Sequence, residues 1–304
     1  MKSYIGIIGL GNMGMGVARN ILKAGFPLVA YDIRKAPLRD IEKLGAHIGK
    51  SPGEIAQKAK ITLLVVLNYS QVEQVVFGDK GLRERLASGD VVVVMSTIGP
   101  GEVKSLARAL EKEKVSVLDA PISGGKEGAA AGTLTVMVGG EKRAFETCRN
   151  IFQAVGKNVY YLGELGSGLN LKLVNNLLVA VNGLGVAEAI LLGLKAGLDP
   201  QAILEVIPKS AGDSWMFRHR APQMVARDFT CRGELDILLK DLSYVLEMGK
   251  NLKIPLLLSA LAKEVFQMAN CMGWGKEDDS AVVKVLEKMA GMGEIRKEVK
   301  RRKF

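Results

Sequence analysis

The stretch from residue 166 to residue 176 combines side chains that can act together on one small polar group. A glycine-rich turn opens a predicted apolar helix that runs to about Lys195, and Lys172, Asn175 and Asn176 lie one turn into it. Residues three and four apart share one face of a helix, so an ammonium group and two amides can converge. Burying these groups is costly unless each is paired. The pattern predicts a ligand site. The structural alternative is a solvent-reaching lysine beside two helix-bridging asparagines.

The first 32 residues carry the pattern of a dinucleotide-binding turn. An apolar run is followed by Gly9, Gly11 and Gly14, then by a helical segment and a second apolar run that ends in Asp32. The first glycine permits a tight turn, the second lets the backbone approach a pyrophosphate, and the third permits close packing of helix on strand. The helix N-terminus supplies amide donors for phosphate groups. The predicted cofactor contacts here are Gly9, Leu10, Gly11, Asn12, Met13, Asp32 and Arg34.

The acidic residue predicts which dinucleotide binds. A carboxylate at Asp32 accepts hydrogen bonds from the free ribose hydroxyls of NAD and repels the 2′-phosphate of NADP. At ~4 Å and an effective dielectric constant of ~20, that repulsion amounts to roughly 4 kcal/mol. Arg34, two residues later, can instead neutralise a phosphate. We therefore expect NAD, with NADP possible through Arg34.

The composition excludes several kinds of site. The 304 residues suggest about two domains. Three widely spaced cysteines form no disulfide framework, and His47 and His219 are too few for a histidine metal cluster, so we expect no metal. The N-terminal run lacks the pattern of a signal peptide. Polar residues interrupt the apolar helix near 177–198, which predicts a buried or intersubunit helix and no membrane contact. We expect a cytoplasmic protein.

The formal net charge of +10 raises nucleic acid as a possible partner. Much of the excess lies in the last nine residues, 296–304, which hold six lysines and arginines and one glutamate. A local cluster of this kind is typical of a solvated, frayed tail. We therefore expect no nucleic-acid partner, and a basic balance that helps to attract an anionic cofactor and substrate.

Short apolar runs alternate with helical patterns through the first half of the chain, whereas almost only helical patterns follow Gly168. Buried strands joined by helices predict a parallel sheet with right-handed crossovers. Asp199-Pro200, Pro255 and residues 277–280 are predicted helix starts. The predicted strands are 4–8, 27–31, 61–67, 91–95 and 115–119, with further strands near 134–138 and 159–162.

These elements predict an α/β fold with two domains. Residues 1–165 form a Rossmann domain with a doubly wound, mainly parallel sheet that binds the cofactor. Residues 166–290 form an all-α domain for substrate binding and dimerisation, and residues 291–304 form the basic tail.

Three further stretches carry polar groups with suitable chemistry. Leu67-Asn68 and Ser96-Thr97 follow predicted strands, where a doubly wound sheet binds its ligands. They suit the ribose and nicotinamide half of the cofactor, although Ser and Thr at such places are often capping or turn residues. Ser123-Gly124-Gly125 combines a hydroxyl with successive glycine amides, which favours an anion nest for a carboxylate. Lys240-Asp241 is a charged pair in an apolar helical run, for which a structural ion pair is the alternative.

Together these motifs resemble the β-hydroxyacid dehydrogenase family over about residues 4–290. The resemblance implies a Rossmann domain, an all-helical domain, and hydride transfer between a nicotinamide cofactor and a small anionic hydroxy acid. The matching segments are Gly9–Gly14, Asp119–Gly125, Gly132–Gly139, Gly166–Asn176 and Lys240–Leu242.

The resemblance also implies roles for individual residues. The family's catalytic lysine falls on Lys172 and its substrate asparagine on Asn176, with Asn175 beside it. The substrate-carboxylate loop falls on Ser123-Gly124-Gly125 and the cofactor lysine on Lys240. A general acid/base at Lys172 also agrees with the near absence of histidine.

Residues 210–218 look most like the L-threonate dehydrogenase branch of the family. We therefore expect a four-carbon sugar acid such as L-threonate as substrate, and a homodimer or homotetramer. The alternatives are 3-hydroxyisobutyrate dehydrogenase and tartronate or succinic semialdehyde reductase. A non-catalytic, dehydrogenase-like binding module and an imine reductase are further alternatives, and Lys172 argues against both.

Overall fold

The computed structural model describes residues 4–292 and divides the chain into two compact units between Lys172 and Leu173. The predicted boundary at residue 165/166 lies earlier, at the start of the long helix. The predicted basic tail, 291–304, falls almost entirely outside the described residues.

A nine-stranded sheet forms the centre of the first unit. Its strands are β1 (Tyr4–Ile8), β2 (Leu28–Tyr31), β3 (His47–Ile48), β4 (Ala59–Leu64), β5 (Val91–Val94), β6 (Ser116–Asp119), β7 (Ile122–Ser123), β8 (Thr135–Gly140) and β9 (Asn158–Tyr161). The order is β3-β2-β1-β4-β5-β6-β8-β7, and β9 pairs with β8. All pairs among β1 to β6 are parallel, while β8 runs antiparallel to β6 and β7. The chain order reverses beside β1, where doubly wound sheets bind their ligands.

Helices cover both faces of this sheet. Neighbouring residues of β1 point to opposite faces; Ile7 belongs to one hydrophobic cluster and Ile8 to the other. The predicted Rossmann domain with a mainly parallel sheet is therefore confirmed. The helices of this unit are α1 (Asn12–Lys23), α2 (Lys35–Glu42), α3 (Pro52–Lys58), α4 (Tyr69–Phe77), α5 (Pro100–Ala109), α6 (Gly125–Ala131) and α7 (Lys142–Val155).

Several details of the sheet differ from the prediction. In the apolar run 61–67, β4 ends at Leu64. The Val65 amide still donates to the Ile8 carbonyl of β1 (2.8 Å), but the Val66 amide donates to the Ser96 hydroxyl (2.9 Å) and not to a neighbouring strand. The short strands β3 and β7 were not predicted. Each has only two residues, too few for a recognisable alternation.

The long helix α8 (Ser167–Lys195) runs without interruption for 29 residues, as predicted. By length and composition it is apolar enough to cross a membrane, but half of its most apolar 18-residue window is buried inside the molecule. That burial is typical of a core helix. The remaining helices of the second unit are α9 (Pro200–Val206), α10 (Trp215–Ala226), α11 (Leu235–Asn251), α12 (Leu257–Cys271) and α13 (Val283–Met289).

The predicted helix starts have two different outcomes. Asp199 caps α9 by accepting the Gln201 amide (3.2 Å), and Pro200 is the first helical residue, as expected. The prediction at Pro255 was wrong, because α12 begins at Leu257. The intervening residue Leu256 has φ −115° and ψ 67°, outside the helical region, so the proline belongs to the preceding loop.

Candidate functional site

The glycine-rich turn after β1 has the geometry that a dinucleotide needs. Gly9 has φ +96°, and a Cβ there would collide with the Val65 carbonyl. A Cβ on Gly14 would collide with the Gly9 carbonyl. The packing of the protein itself therefore requires glycine at both positions.

Gly11 is different, because a Cβ at this position would meet nothing within 4 Å. The protein's own packing does not explain this glycine, and the space fits a ligand that approaches the backbone closely. It lies at the start of α1, where the amides of Asn12 and Met13 have no partner within the helix. These residues fit the pyrophosphate of a dinucleotide, held by backbone N–H groups and the helix dipole.

Asp32 anchors this turn from the end of β2. Its carboxylate accepts the Leu10 amide (2.7 Å), the Arg34 amide (2.8 Å) and two guanidinium bonds from Arg34, each 3.0 Å long. Burial alone would raise the pKa of Asp32, but the hydrogen bonds from Arg34 and Leu10 outweigh it and hold the pKa below its usual value. Asp32 is therefore an ionised acceptor. Arg34, whose side chain is 57% exposed, lies beside it.

The predicted residues after β4 and β5 lie at the same edge of the sheet. The side-chain oxygen of Asn68 accepts the Gln71 amide (3.0 Å) and caps α4, so capping already uses one polar atom of this predicted cofactor residue. Leu67 is 42% exposed, and its amide donates to the Gln71 side chain (2.9 Å). Thr97 is half-buried just beyond β5.

The predicted anion nest begins at Ser123, the last residue of β7. Gly124 and Gly125 have φ of +132° and +64°, and α6 begins at the second of them. The Asn20 side chain of α1 donates to the Ala129 carbonyl of α6 (2.7 Å). Because this bond joins α6 to the helix that follows the glycine-rich turn, the first unit holds the nest and the turn in one fixed arrangement.

Lys172 is half-buried on α8, one turn before Asn176, as its helix position predicts.

Four polar side chains form a chain of hydrogen bonds in the second unit. Asn175 donates to the Asn176 side-chain oxygen (2.9 Å), and Asn176 donates to one oxygen of Asp241 (2.6 Å). The other oxygen of Asp241 accepts the Lys240 ammonium group (2.7 Å). Three predicted site residues are thus joined through one buried carboxylate, which is 2% exposed.

Sequence reasoning did not assign Asp241 to the site, because an ion pair with its neighbour Lys240 already explained its charge. The link to Asn176 is a contact between α8 and α11 that no local pattern reveals. By accepting from Asn176, the carboxylate fixes which way that amide faces.

Comparison with known proteins matches both halves of the chain. Residues 4–163 match the NAD binding domain of 6-phosphogluconate dehydrogenase, and residues 166–286 match the NAD-binding domain of NADP-dependent 3-hydroxyisobutyrate dehydrogenase. An L-threonate dehydrogenase from Cupriavidus necator is 41% identical over 94% of this chain and 96% of its own length. A 2-(hydroxymethyl)glutarate dehydrogenase from Eubacterium barkeri is 37% identical over 95% of this chain and 96% of its own.

A solved structure is similar over nearly the whole fold. The 3-hydroxyisobutyrate dehydrogenase from Salmonella typhimurium superposes with a TM-score of 0.86 at 37% identity, covering 93% of this chain and 99% of that one.

The contacts of Asp32 lead to a prediction about cofactor choice. We expect a higher kcat/KM with NAD than with NADP, because the carboxylate opposes a 2′-phosphate. In Asp32→Asn the amide oxygen still accepts the Leu10 amide, but the charge is lost and Arg34 is released. The NAD/NADP ratio of kcat/KM should then fall by at least about tenfold.

Arg39→Ala is the control, since Arg39 is an exposed arginine of the neighbouring helix α2, and it should leave the ratio unchanged. Equal use of both cofactors by the wild type would show that Arg34 and not Asp32 sets the preference.

Proposed function

We propose, from the premise that this chain belongs to the β-hydroxyacid dehydrogenase family, that it oxidises a four-carbon sugar acid, L-threonate, with NAD. As a family member it is an NAD(P)-dependent dehydrogenase that acts on a small hydroxy acid. The observation that carries the choice of substrate is the 41% identity to an L-threonate dehydrogenase along nearly the full length of both chains.

The second candidate substrate is 3-hydroxyisobutyrate. It is favoured by the Salmonella structure and by the mitochondrial 3-hydroxyisobutyrate dehydrogenase of mouse, which is 32% identical over 94% of this chain. Both acids carry a carboxylate and a hydroxyl, so the same anion nest at Ser123-Gly124-Gly125 serves either of them. They differ in the hydroxyl groups beyond the reacting carbon.

Lys172 is the proposed general acid/base. The bound nicotinamide supplies the acceptor for hydride. Lys172 removes the proton from the substrate hydroxyl and, in the reverse direction, returns it to the carbonyl oxygen. Burial lowers the proton affinity of a lysine and a bound carboxylate raises it. We expect an alkaline optimum for oxidation, because Lys172 must be neutral to accept the proton.

Asn176 is the proposed partner of the lysine. Its amide nitrogen donates to Asp241 and its oxygen accepts from Asn175, so the side chain has one fixed orientation. A fixed amide can direct its remaining hydrogen and lone pair toward the substrate hydroxyl. Lys240, held by the same carboxylate, is proposed to contact the cofactor.

We further propose a cytoplasmic homodimer or homotetramer that binds neither nucleic acid nor membrane. Three cysteines, Cys148, Cys231 and Cys271, are free thiols in the structure, which agrees with a reducing compartment.

A panel of hydroxy acids tests the proposed substrate. With NAD and the purified protein, L-threonate should give the highest kcat/KM, at least about tenfold above 3-hydroxyisobutyrate and 2-(hydroxymethyl)glutarate. The reason is that a site built to bind extra hydroxyls leaves its polar groups unpaired with substrates that lack them. Absorbance of the reduced nicotinamide measures the rate, and D-threonate is the matched stereochemical control. If 3-hydroxyisobutyrate is the better substrate, the second candidate replaces the first.

Replacement of the lysine tests the mechanism. Lys172→Ala should lower kcat by about 10²–10⁴ and leave NAD binding nearly unchanged, because the proposed contacts of the nucleotide lie on the glycine-rich turn and Asp32. Lys195→Ala removes an exposed lysine from the far end of the same helix and should have no effect. A Lys172→Ala enzyme that keeps more than a tenth of the wild-type kcat would exclude Lys172 as the proton carrier.

Exposed leucines lead to a prediction about assembly. Leu192 on α8 is 73% exposed, and Leu257, Leu258 and Leu261 on α12 are 79%, 67% and 58% exposed. Apolar side chains in such number are typical of a surface that another chain covers. Light scattering at micromolar concentration should give the mass of a dimer or tetramer, and Leu257→Glu with Leu261→Glu should lower that mass. A stable wild-type monomer would contradict the proposal.

A further inference from the structure

The start of α8 is held by a buried carboxylate at the end of β6. Asp119 is fully buried, and its two oxygens accept the backbone amides of Gly166 and Leu169, each at 2.7 Å. Gly166 precedes the helix, so its amide has no helical partner. Leu169 lies in the first turn, where backbone amides have no helical partner either. Asp119 thus supplies, from the sheet, the acceptors that this helix start lacks.

Two glycines leave room for the carboxylate. A Cβ on Gly139 of β8 would lie 2.5 Å from one oxygen of Asp119 and 2.6 Å from the Glu164 carbonyl oxygen. A Cβ on Gly168 would lie 2.9 Å from the other oxygen of Asp119 and even closer to the Met137 carbonyl oxygen. Any side chain at either position would push the carboxylate or the helix away. The contact is therefore specified by three residues from separate segments: β6, β8 and α8.

The contact lies between two predicted parts of the site. Lys172 follows Leu169 by three residues and so lies close to the same side of the helix. Ser123, the last residue of β7, follows Asp119 by four residues. A displacement of the helix start would move Lys172 with respect to the anion nest, and both belong to the first unit.

We propose that Asp119 is a positioning residue for the reaction. It fixes the rotation of α8 about its axis and its position along that axis, and thereby the position of the Lys172 ammonium group. This inference rests on the proposed role of Lys172. Asp119 also places a negative charge at the positive end of the helix dipole, next to the turn that carries the lysine. Removing that charge makes the protonated form of Lys172 less stable.

Burial raises the pKa of Asp119, against the hydrogen bonds from Gly166 and Leu169. Since each oxygen accepts an N–H group, the ionised form is the one that fits the site. Two other charged residues lie at this helix start: Lys104 of α5, whose side chain passes Gly166, and Glu164, whose carbonyl accepts the Ser167 amide. Both are unchanged in the variants below, so a difference from the wild type isolates Asp119.

The test is Asp119→Asn, measured as the pH profile of kcat for oxidation. The amide keeps the size of the carboxylate but turns an NH₂ group toward one of the two backbone donors. We expect kcat to fall roughly tenfold to hundredfold while KM for NAD stays within about threefold. The acidic limb, where kcat rises as the lysine loses its proton, should shift to lower pH by about 0.5 to 1 unit.

Other outcomes overturn the proposal. If the acidic limb of the pH profile does not move in Asp119→Asn and kcat stays within about threefold of wild type, Asp119 has only a structural role. A shift of this limb to higher pH, toward the pKa of free lysine, would mean that the substitution only loosens the helix start. Asp90→Asn is the matched control, because Asp90 is a buried aspartate that accepts the Ala87 amide (2.8 Å) at the opposite end of β5. It should not move the limb.

Two further measurements keep the inference testable. If Asp119→Asn does not fold, Asp119→Ser removes the same charge with a smaller side chain that still accepts one amide, and the same shift is expected. Hydrogen exchange of the segment 164–172 should be slow in the wild type and faster in either variant, and fast exchange in the wild type would overturn the contact itself. The result for Lys172→Ala separates the proposals. If that variant stays active, the acid/base role fails, whereas an inactive Lys172→Ala beside a normal Asp119→Asn defeats only the present inference.

Discussion

A buried carboxylate must be surrounded by hydrogen-bond donors, and this constraint shapes the candidate site. It is met in three places: Asp32 takes donors from the glycine-rich turn and Arg34, Asp119 from the start of α8, and Asp241 from Asn176 and Lys240. Leaving such a group unpaired is strongly unfavourable. Each carboxylate therefore holds its donors in place, and each set of donors belongs to a segment predicted to bind cofactor or substrate.

Buried aspartates that are paired with donors also occur outside the predicted site residues. Arg220 is buried on α10 and pairs with Asp279 (2.5 Å), whose pKa is raised to about 6 by burial although the arginine lowers it. Asp278 beside it accepts the amides of Arg232 and Gly233 and joins the loop before α11 to the segment before α13. A buried aspartate is thus not by itself a sign of catalysis. Asp119 and Asp241 differ in that they bind residues of the segment 166–176, which is predicted to form part of the site.

The accuracy of the sequence predictions follows the range of the interactions. The spacing of Gly9 and Gly11 is a local sequence pattern, and so is the apolar pattern of the 29-residue helix α8, so both were predicted. The end of β4 was predicted three residues too late because the Val66 amide donates to the Ser96 hydroxyl, 30 residues away, and not to a neighbouring strand. The helix start predicted at Pro255 was wrong because the fixed backbone angle of proline is compatible with a loop as well as with the first turn of a helix.

The amino-acid sequence by itself determined the fold class, the glycine spacing of the cofactor turn and the presence of Lys172 and Asn176 one turn apart, since all of these follow from local periodicity and backbone conformation. Only the tertiary structure decided which aspartates position those groups. Asp119 meets the Gly166 amide 47 residues away, and Asp241 meets Asn176 across 65 residues. Partners so distant in sequence are brought together by the packing of strands and helices, and local patterns carry no record of that packing.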